Sequence, residues 1–163
     1  MRSGVVSLAV LGALYALFSA LLYANGVAAR AVWLPIAPER YYLAQALFVL
    51  PLFFGLAHVF VRVVRACIRG PGASTAMFDG LAPRYAWPIT LCFLIPDMIV
   101  FLGWGHASLA SAMRFYGPLA PLVIVIGCVR WLHREMKVTR LRATLATLAA
   151  LLAQAVVGGT LLR

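Results

Sequence analysis

The sequence predicts an all-α membrane protein, a polytopic transmembrane bundle of five helices, and three observations lead to this fold class. The chain has 163 residues, of which 64% are hydrophobic and only 11% are charged. Its mean hydropathy is +0.98, and such a composition is well outside that of soluble globular domains. The charged residues are spaced so that long stretches of the chain carry none. We therefore predict one transmembrane domain over residues 1–163.

Three stretches contain no Asp, Glu, Lys or Arg and are long enough for the ~20 apolar residues of a spanning helix. They predict helices over residues 4–29, 42–66 and 141–162. The first stretch also resembles a secretory signal that ends in Val27-Ala28-Ala29. Its apolar region is longer than the ~7–15 residues of a signal core, so we expect it to be retained as a span.

Two further spans contain an ionisable residue. Asp97 stands in an otherwise apolar stretch, for which we predict a helix over residues 86–105. The stretch 115–133 contains Arg130, whose long side chain has to reach the membrane surface. This stretch is the weakest of the five. The alternative is a protein with four spans in which this stretch is re-entrant and the C-terminus lies inside.

Positive charge is concentrated on one side of the predicted membrane domain. Ten of the fourteen Lys and Arg residues lie before the first span or around the two loops that share its side. Because cytoplasmic segments carry the excess of Lys and Arg, we predict a cytoplasmic N-terminus and a C-terminus on the opposite side. The net charge of +10 is explained by this orientation, and we expect no nucleic-acid partner. Every Trp lies at the end of a predicted span, as membrane-interface residues do: Trp33, Trp87, Trp104 and Trp131.

Turn residues define the two connections around the second span. Pro35 and Pro38 prevent a continuous helix and indicate a linker along the outer membrane surface. After the second span, Gly70-Pro71-Gly72 predicts a turn. We expect a short amphipathic turn on the cytoplasmic surface near residues 74–82, ended by Pro83.

The segment that leads into the third span is similar to a known family. Residues Phe78 to Pro88, which read FDGLAPRYAWP, follow the Gly-rich turn, and Ile95-Pro96-Asp97 lies in the span itself. This pattern resembles the prokaryotic branch of the Yip1 family, from about residue 39 to residue 104. The resemblance implies five spans, with the N-terminus inside and the C-terminus outside.

The sequence also departs from the family. It lacks the DLYGP-type motif of the eukaryotic members and their long cytoplasmic N-terminal region. Those members bind Rab GTPases and act in vesicle trafficking, and that role is not carried over. The resemblance implies the fold and topology only.

Asp97 is the sharpest candidate for a functional residue. A carboxylate in the membrane interior costs roughly 2.5–3.5 kcal/mol on insertion scales, so it usually faces a partner or water. Depths counted along the predicted helices place His58, Arg62 and Gln154 near the same level. We expect an intramembrane polar cluster of these four residues. Such a cluster serves as a proton or ion relay, as an anionic-ligand site, or only as a clamp between helices; Asp97 meeting another subunit is a further alternative.

Two other surfaces are candidates for contacts. One is a stripe of small residues in the last span, which suits helix packing or a protein partner: Ala143, Ala146, Ala150 and Ala153. The other is a basic run that attracts anionic lipid at about 1 kcal/mol per base: Arg130, Arg134, Lys137, Arg140 and Arg142.

The chain carries no GxSxG, HExxH or Walker motif. Its three histidines are dispersed and its three cysteines share no CxxC spacing, so we expect no metal and no cofactor. We expect a non-enzymatic scaffold or accessory protein of the bacterial inner (plasma) membrane, in contact with lipids and with other membrane proteins or copies of itself. The alternatives are a small transporter or channel with a centre at His58, Arg62 and Asp97, and a membrane enzyme that uses the same residues.

Overall fold

The computed structural model describes residues 2–29, 36–68 and 74–161. Within these ranges the side chains of residues 2, 74, 75 and 157–161 are outside the description. The predicted turn Gly70-Pro71-Gly72 and most of the first linker, including Pro35, lie outside the described residues.

The described residues form seven α-helices and no strand, which confirms the all-α fold class. A short 3-10 turn, Pro38–Arg40, precedes the second helix, and a π-helical turn, Thr90–Leu94, joins the third helix to the fourth. The α-helices are α1 (Arg2–Ala24), α2 (Tyr41–Ile68), α3 (Ser74–Ile89), α4 (Ile95–Trp104), α5 (His106–Tyr116), α6 (Leu119–Glu135) and α7 (Arg140–Leu161).

Among the residues that the structure describes, four helical segments are long and apolar enough to cross a membrane: Ser3–Ala24, Pro38–Ile68, Ala76–Trp104 and His106–Glu135. The last of these contains the weakest predicted span, residues 115–133. Helix α7 has 22 residues, or about 33 Å at 1.5 Å per residue.

The third helix differs from its prediction. Helix α3, the π-helical turn and α4 run without a break from Ser74 to Trp104, so there is no separate amphipathic turn and Pro83 lies inside α3. Proline removes one backbone hydrogen bond and displaces carbonyl groups in the preceding turn. Here Arg84 Nη1 donates to the Gly80 carbonyl at 2.6 Å. The Gly80 carbonyl lies three residues before Pro83, in the turn that the proline disturbs.

The π-helical turn lies directly before Pro96. In a regular α-helix the Pro96 ring would clash with the carbonyl of Cys92 and leave it without its N–H partner. The turn is wider, since the Ile95 N–H donates to the Thr90 carbonyl, five residues earlier. Because the turn is wider, Pro96 fits inside the span and the helix continues beyond it.

The long helices close a ring. Helix α2 packs against α1 and α7, α6 packs against α7 and α3, and α3 packs against α1. Gly4 lies beside Asp79, and Arg142 Nε donates to the Cys67 carbonyl at 3.3 Å, so α1, α3 and α7 begin where α2 ends. We call this the basic end of the bundle, because the exposed cations of α2, α6, α7 and the turn between α6 and α7 lie there: Arg62, Arg65, Arg130, Arg134, Lys137, Arg140 and Arg142.

Close approach of α3 to α6 depends on Gly80. A Cβ atom at this position would overlap the six-membered ring of Trp131. The same indole lies under the Arg84 guanidinium, whose Cζ is 5.7 Å from the ring centroid. The absence of a side chain at residue 80 therefore allows Trp131 to fill the space between the two helices.

We expect Gly80→Ala to lower the free energy of unfolding by about 1–3 kcal/mol, because it overpacks the contact with Trp131. The matched control is Gly55→Ala, since a Cβ at Gly55 meets nothing within 4 Å. The control should leave stability unchanged or raise it by up to about 1 kcal/mol through helix propensity. Denaturation in detergent, followed by circular dichroism, measures both.

The origin of the effect is tested in a Trp131→Leu background, in which the cost of Gly80→Ala should shrink. An equal cost in both backgrounds would show that the indole is not the cause.

Candidate functional site

Asp97 lies in the first turn of α4 and is 8% exposed. The Tyr116 hydroxyl, at the end of α5, donates a hydrogen bond to Asp97 Oδ1. Gly105 makes this pairing possible, since its φ of 78° turns the chain back so that α5 lies along α4. The Phe93 ring packs edge-on against the Tyr116 ring at a centroid distance of 6.4 Å. Asp97 therefore has a dedicated donor inside its own helical hairpin.

His58 has other partners. Its Nδ1 donates to the Phe54 carbonyl at 2.8 Å, and its ring lies 4.7 Å from the ring of Phe78. Phe78 precedes Asp97 by 19 residues in one continuous helical segment, a separation of about 28 Å. His58 and Asp97 thus lie at different depths, and the predicted pairing of these two residues is not formed.

The reason for the difference is the early start of the third helix. The predicted helix begins at residue 86 and places Asp97 near its middle, but α3 begins at Ser74. Asp97 therefore lies only seven residues, about 10 Å, from the last residue of α4, Trp104. It is close to the end of the bundle opposite the basic end rather than at its centre.

The other two members of the predicted cluster are also apart from Asp97. Gln154 is buried, and its Nε2 donates to the Leu56 carbonyl of α2 at 2.7 Å. Arg62 is exposed, one turn beyond His58 toward the basic end. Gln154 reaches the level of His58 but bonds to the backbone. The structure therefore distributes these polar residues among separate contacts.

A second buried polar contact joins Ser19 and Gln45, and it was not predicted from the sequence. Ser19 Oγ in α1 donates to Gln45 Oε1 in α2 at 2.9 Å, and both side chains are buried. Hydrogen bonds between spanning helices stabilise their association by roughly 0.6 kcal/mol on average. Ser19 and Gln45 are uncharged residues in apolar stretches, and sequence alone gives no register between the two helices that would pair them.

The small residues of α7 face the interior. Ala143, Ala146 and Ala150 are fully buried, and Ala153 is half-buried. Helix α7 packs on α2 and α6. This face of α7 therefore serves helix packing within the chain.

The predicted basic run divides into groups with different surroundings. Arg142 bonds to the Cys67 carbonyl of α2, and Lys137 lies in the turn after α6 with a φ of 56°. Arg130, Arg134 and Arg140 line a cavity of about 590 Å³ between α6 and α7. His133 and Thr144, which the sequence analysis did not select, line it too. We call this cavity the α6–α7 groove.

Among the described residues, no three His, Cys, Asp or Glu side chains are close enough together to hold a metal ion. The thiols of Cys67, Cys92 and Cys128 are not in disulfides.

No protein-family model, curated protein or solved structure matches this chain. The similarity to the Yip1 family thus rests on the sequence pattern alone. In the structure, residues of that pattern pack α3 against its neighbours: Phe78 contacts His58, Gly80 contacts Trp131, and the Tyr85 ring lies 5.5 Å from that of Phe60.

Removal of the Tyr116 hydroxyl should destabilise the protein by about 1 kcal/mol, because it leaves the buried Asp97 carboxyl without its donor. In an Asp97→Ala background, Tyr116→Phe should have little further effect. Unfolding in mixed detergent micelles, analysed as a double-mutant cycle, measures the coupling.

Tyr23→Phe is the matched control, since Tyr23 is 41% exposed near the same end of the bundle. Equal losses for Tyr23→Phe and Tyr116→Phe, or the absence of coupling between residues 97 and 116, would contradict the assignment.

Proposed function

We propose that this chain is a non-enzymatic integral membrane scaffold or accessory protein of Yip1-like build, with five spans, in a bacterial inner membrane. It acts through contacts with lipids and with other membrane proteins. In this proposal α7 is the fifth span, the basic end lies in the cytoplasm, and the C-terminus lies on the opposite side.

The observation that supports this proposal most is the use of the buried polar groups. Ser19 bonds to Gln45, Gln154 bonds to the Leu56 backbone, and Tyr116 bonds to Asp97. Each bond joins two helices of the bundle, which suits a rigid support. Seven exposed cations lie instead at the basic end, where in this proposal they meet headgroups or partners.

A small transporter or channel is the second candidate, favoured by one observation. Asp97 lies three residues after the π-helical turn Thr90–Leu94, and such turns are frequent at functional sites. Because His58 does not pair with Asp97, the polar centre of such a transporter would consist of Asp97 and Tyr116 alone. A function of this kind requires the bond between them to open.

The proposed orientation predicts where reporter domains are active. Green fluorescent protein joined after Thr139, in place of α7, should fluoresce, because that turn lies at the basic end in the cytoplasm. Joined after Arg163, it should be dark, and alkaline phosphatase at that position should be active. Fluorescence from both fusions would place the two positions on the same side and remove the fifth span.

A flux measurement separates the two candidate functions. Proteoliposomes that contain the wild-type protein should show the same proton and ion leak as empty vesicles, because the buried polar groups are bonded to one another. Asp97→Asn should change stability alone. A flux above that of empty vesicles, lost in Asp97→Asn and retained in the control Tyr23→Phe, would overturn the scaffold proposal.

A further inference from the structure

The α6–α7 groove has two kinds of lining. Its polar part is formed by Arg130, Arg134 and Arg140, together with His133 and Thr144. Its apolar part is formed by Val125, Ile126 and Val129, which lie further along α6 toward the middle of the bundle. The groove is therefore amphipathic along the direction of the helices.

The turn between α6 and α7 is held in place by hydrogen bonds. The N–H groups of Met136 and Val138 both donate to the Leu132 carbonyl at 3.2 Å. His133 Nδ1 donates to the Val138 carbonyl at 2.9 Å, which leaves Nε2 as the ring nitrogen available to a ligand. These bonds fix the turn, and the turn fixes the ends of α6 and α7 that carry the arginines.

The charge of the lining is of one sign. Three guanidinium groups are always protonated, and each can form paired hydrogen bonds with a phosphate. None of the lining residues is acidic. A phosphate that carries a net negative charge is complementary to this lining.

The apolar part of the groove favours a lipid over a soluble anion. Ile126, in the groove, is 43% exposed, and Leu122, one turn away along α6, is 56% exposed. An acyl chain covers such a surface, whereas inorganic phosphate leaves it bare.

We propose that the α6–α7 groove binds one phospholipid with a net negative head group. The phosphate lies among Arg130, Arg134 and Arg140, and an acyl chain runs along Ile126. This inference deepens the proposed function and rests on it, because it names the lipid that the basic end recognises.

The test compares two double variants that each remove two positive charges from one helix at the basic end. Arg130→Gln with Arg134→Gln alters the groove, and Arg62→Gln with Arg65→Gln is the control, since neither of the latter residues lines it. Native mass spectrometry of protein released from phosphatidylcholine nanodiscs, with and without phosphatidylglycerol, counts the bound lipids and gives their relative affinity.

We expect the wild-type protein and the control to retain one phosphatidylglycerol molecule in preference to phosphatidylcholine. The groove variant should lose this preference by about 25-fold, at roughly fivefold for each arginine. Equal losses in the two double variants would show a diffuse attraction to the basic end and would overturn the site. No loss in the groove variant would overturn it as well.

Ile126→Trp keeps every charge and fills the apolar part of the groove. It should also reduce retention of phosphatidylglycerol, and it decides the question if the arginine variants fail to fold. Unchanged retention in a folded Ile126→Trp protein would exclude an acyl chain from the groove.

Inorganic phosphate distinguishes the source of the anion. Added phosphate should not displace the bound lipid, because it cannot replace the apolar contacts. Displacement by phosphate at the same concentration as phosphatidylglycerol would make free phosphate the ligand. A flux that depends on Asp97 would overturn the proposed function, whatever the lipid result. Loss of the lipid site alone would leave the scaffold role unchanged.

Discussion

The bilayer imposes the constraint on which the rest of the structure depends: every buried polar group has to find its partner inside the protein. Helices satisfy this condition for the backbone, and prolines violate it locally. The continuous segment from Ser74 to Trp104 contains three prolines and passes through each of them. Arg84 bonds to the Gly80 carbonyl, and the π-helical turn accommodates Pro96. The length of this helix then determines the depth of every other residue on it.

Helix association in such an environment cannot come from the hydrophobic effect, since lipid tails are as apolar as the helix surfaces. Close approach of small residues takes its place. Gly80 admits the Trp131 ring between α3 and α6, and the fully buried Ala146 lies on the face of α7 that packs inside the bundle. The buried hydrogen bonds then fix the register of neighbouring helices. Loose packing at any of these contacts would also weaken the others, because the helices form a closed ring.

Composition and charge spacing were sufficient to predict the all-helical class and the presence of long apolar helices, because both depend on local properties of the chain. The beginning of the third helix could not be predicted in this way. Pro83 predicts a helix end in the sequence, but it lies inside α3. The helix begins at Ser74, twelve residues before the predicted start at residue 86, and this error assigned Asp97 the wrong neighbour, His58, in place of Tyr116.

The basic residues illustrate what a pattern in sequence can and cannot determine. Their concentration between the last two spans predicts contact with anionic headgroups, whichever way each side chain points. The structure separates them, since Arg142 is bonded to α2 while Arg130 and Arg140 line one groove from two helices. A ligand held by both helices stabilises their packing as well as its own binding. A lipid in this groove would therefore couple the position of α7 to the composition of the membrane, which links the stability of the bundle to its surroundings.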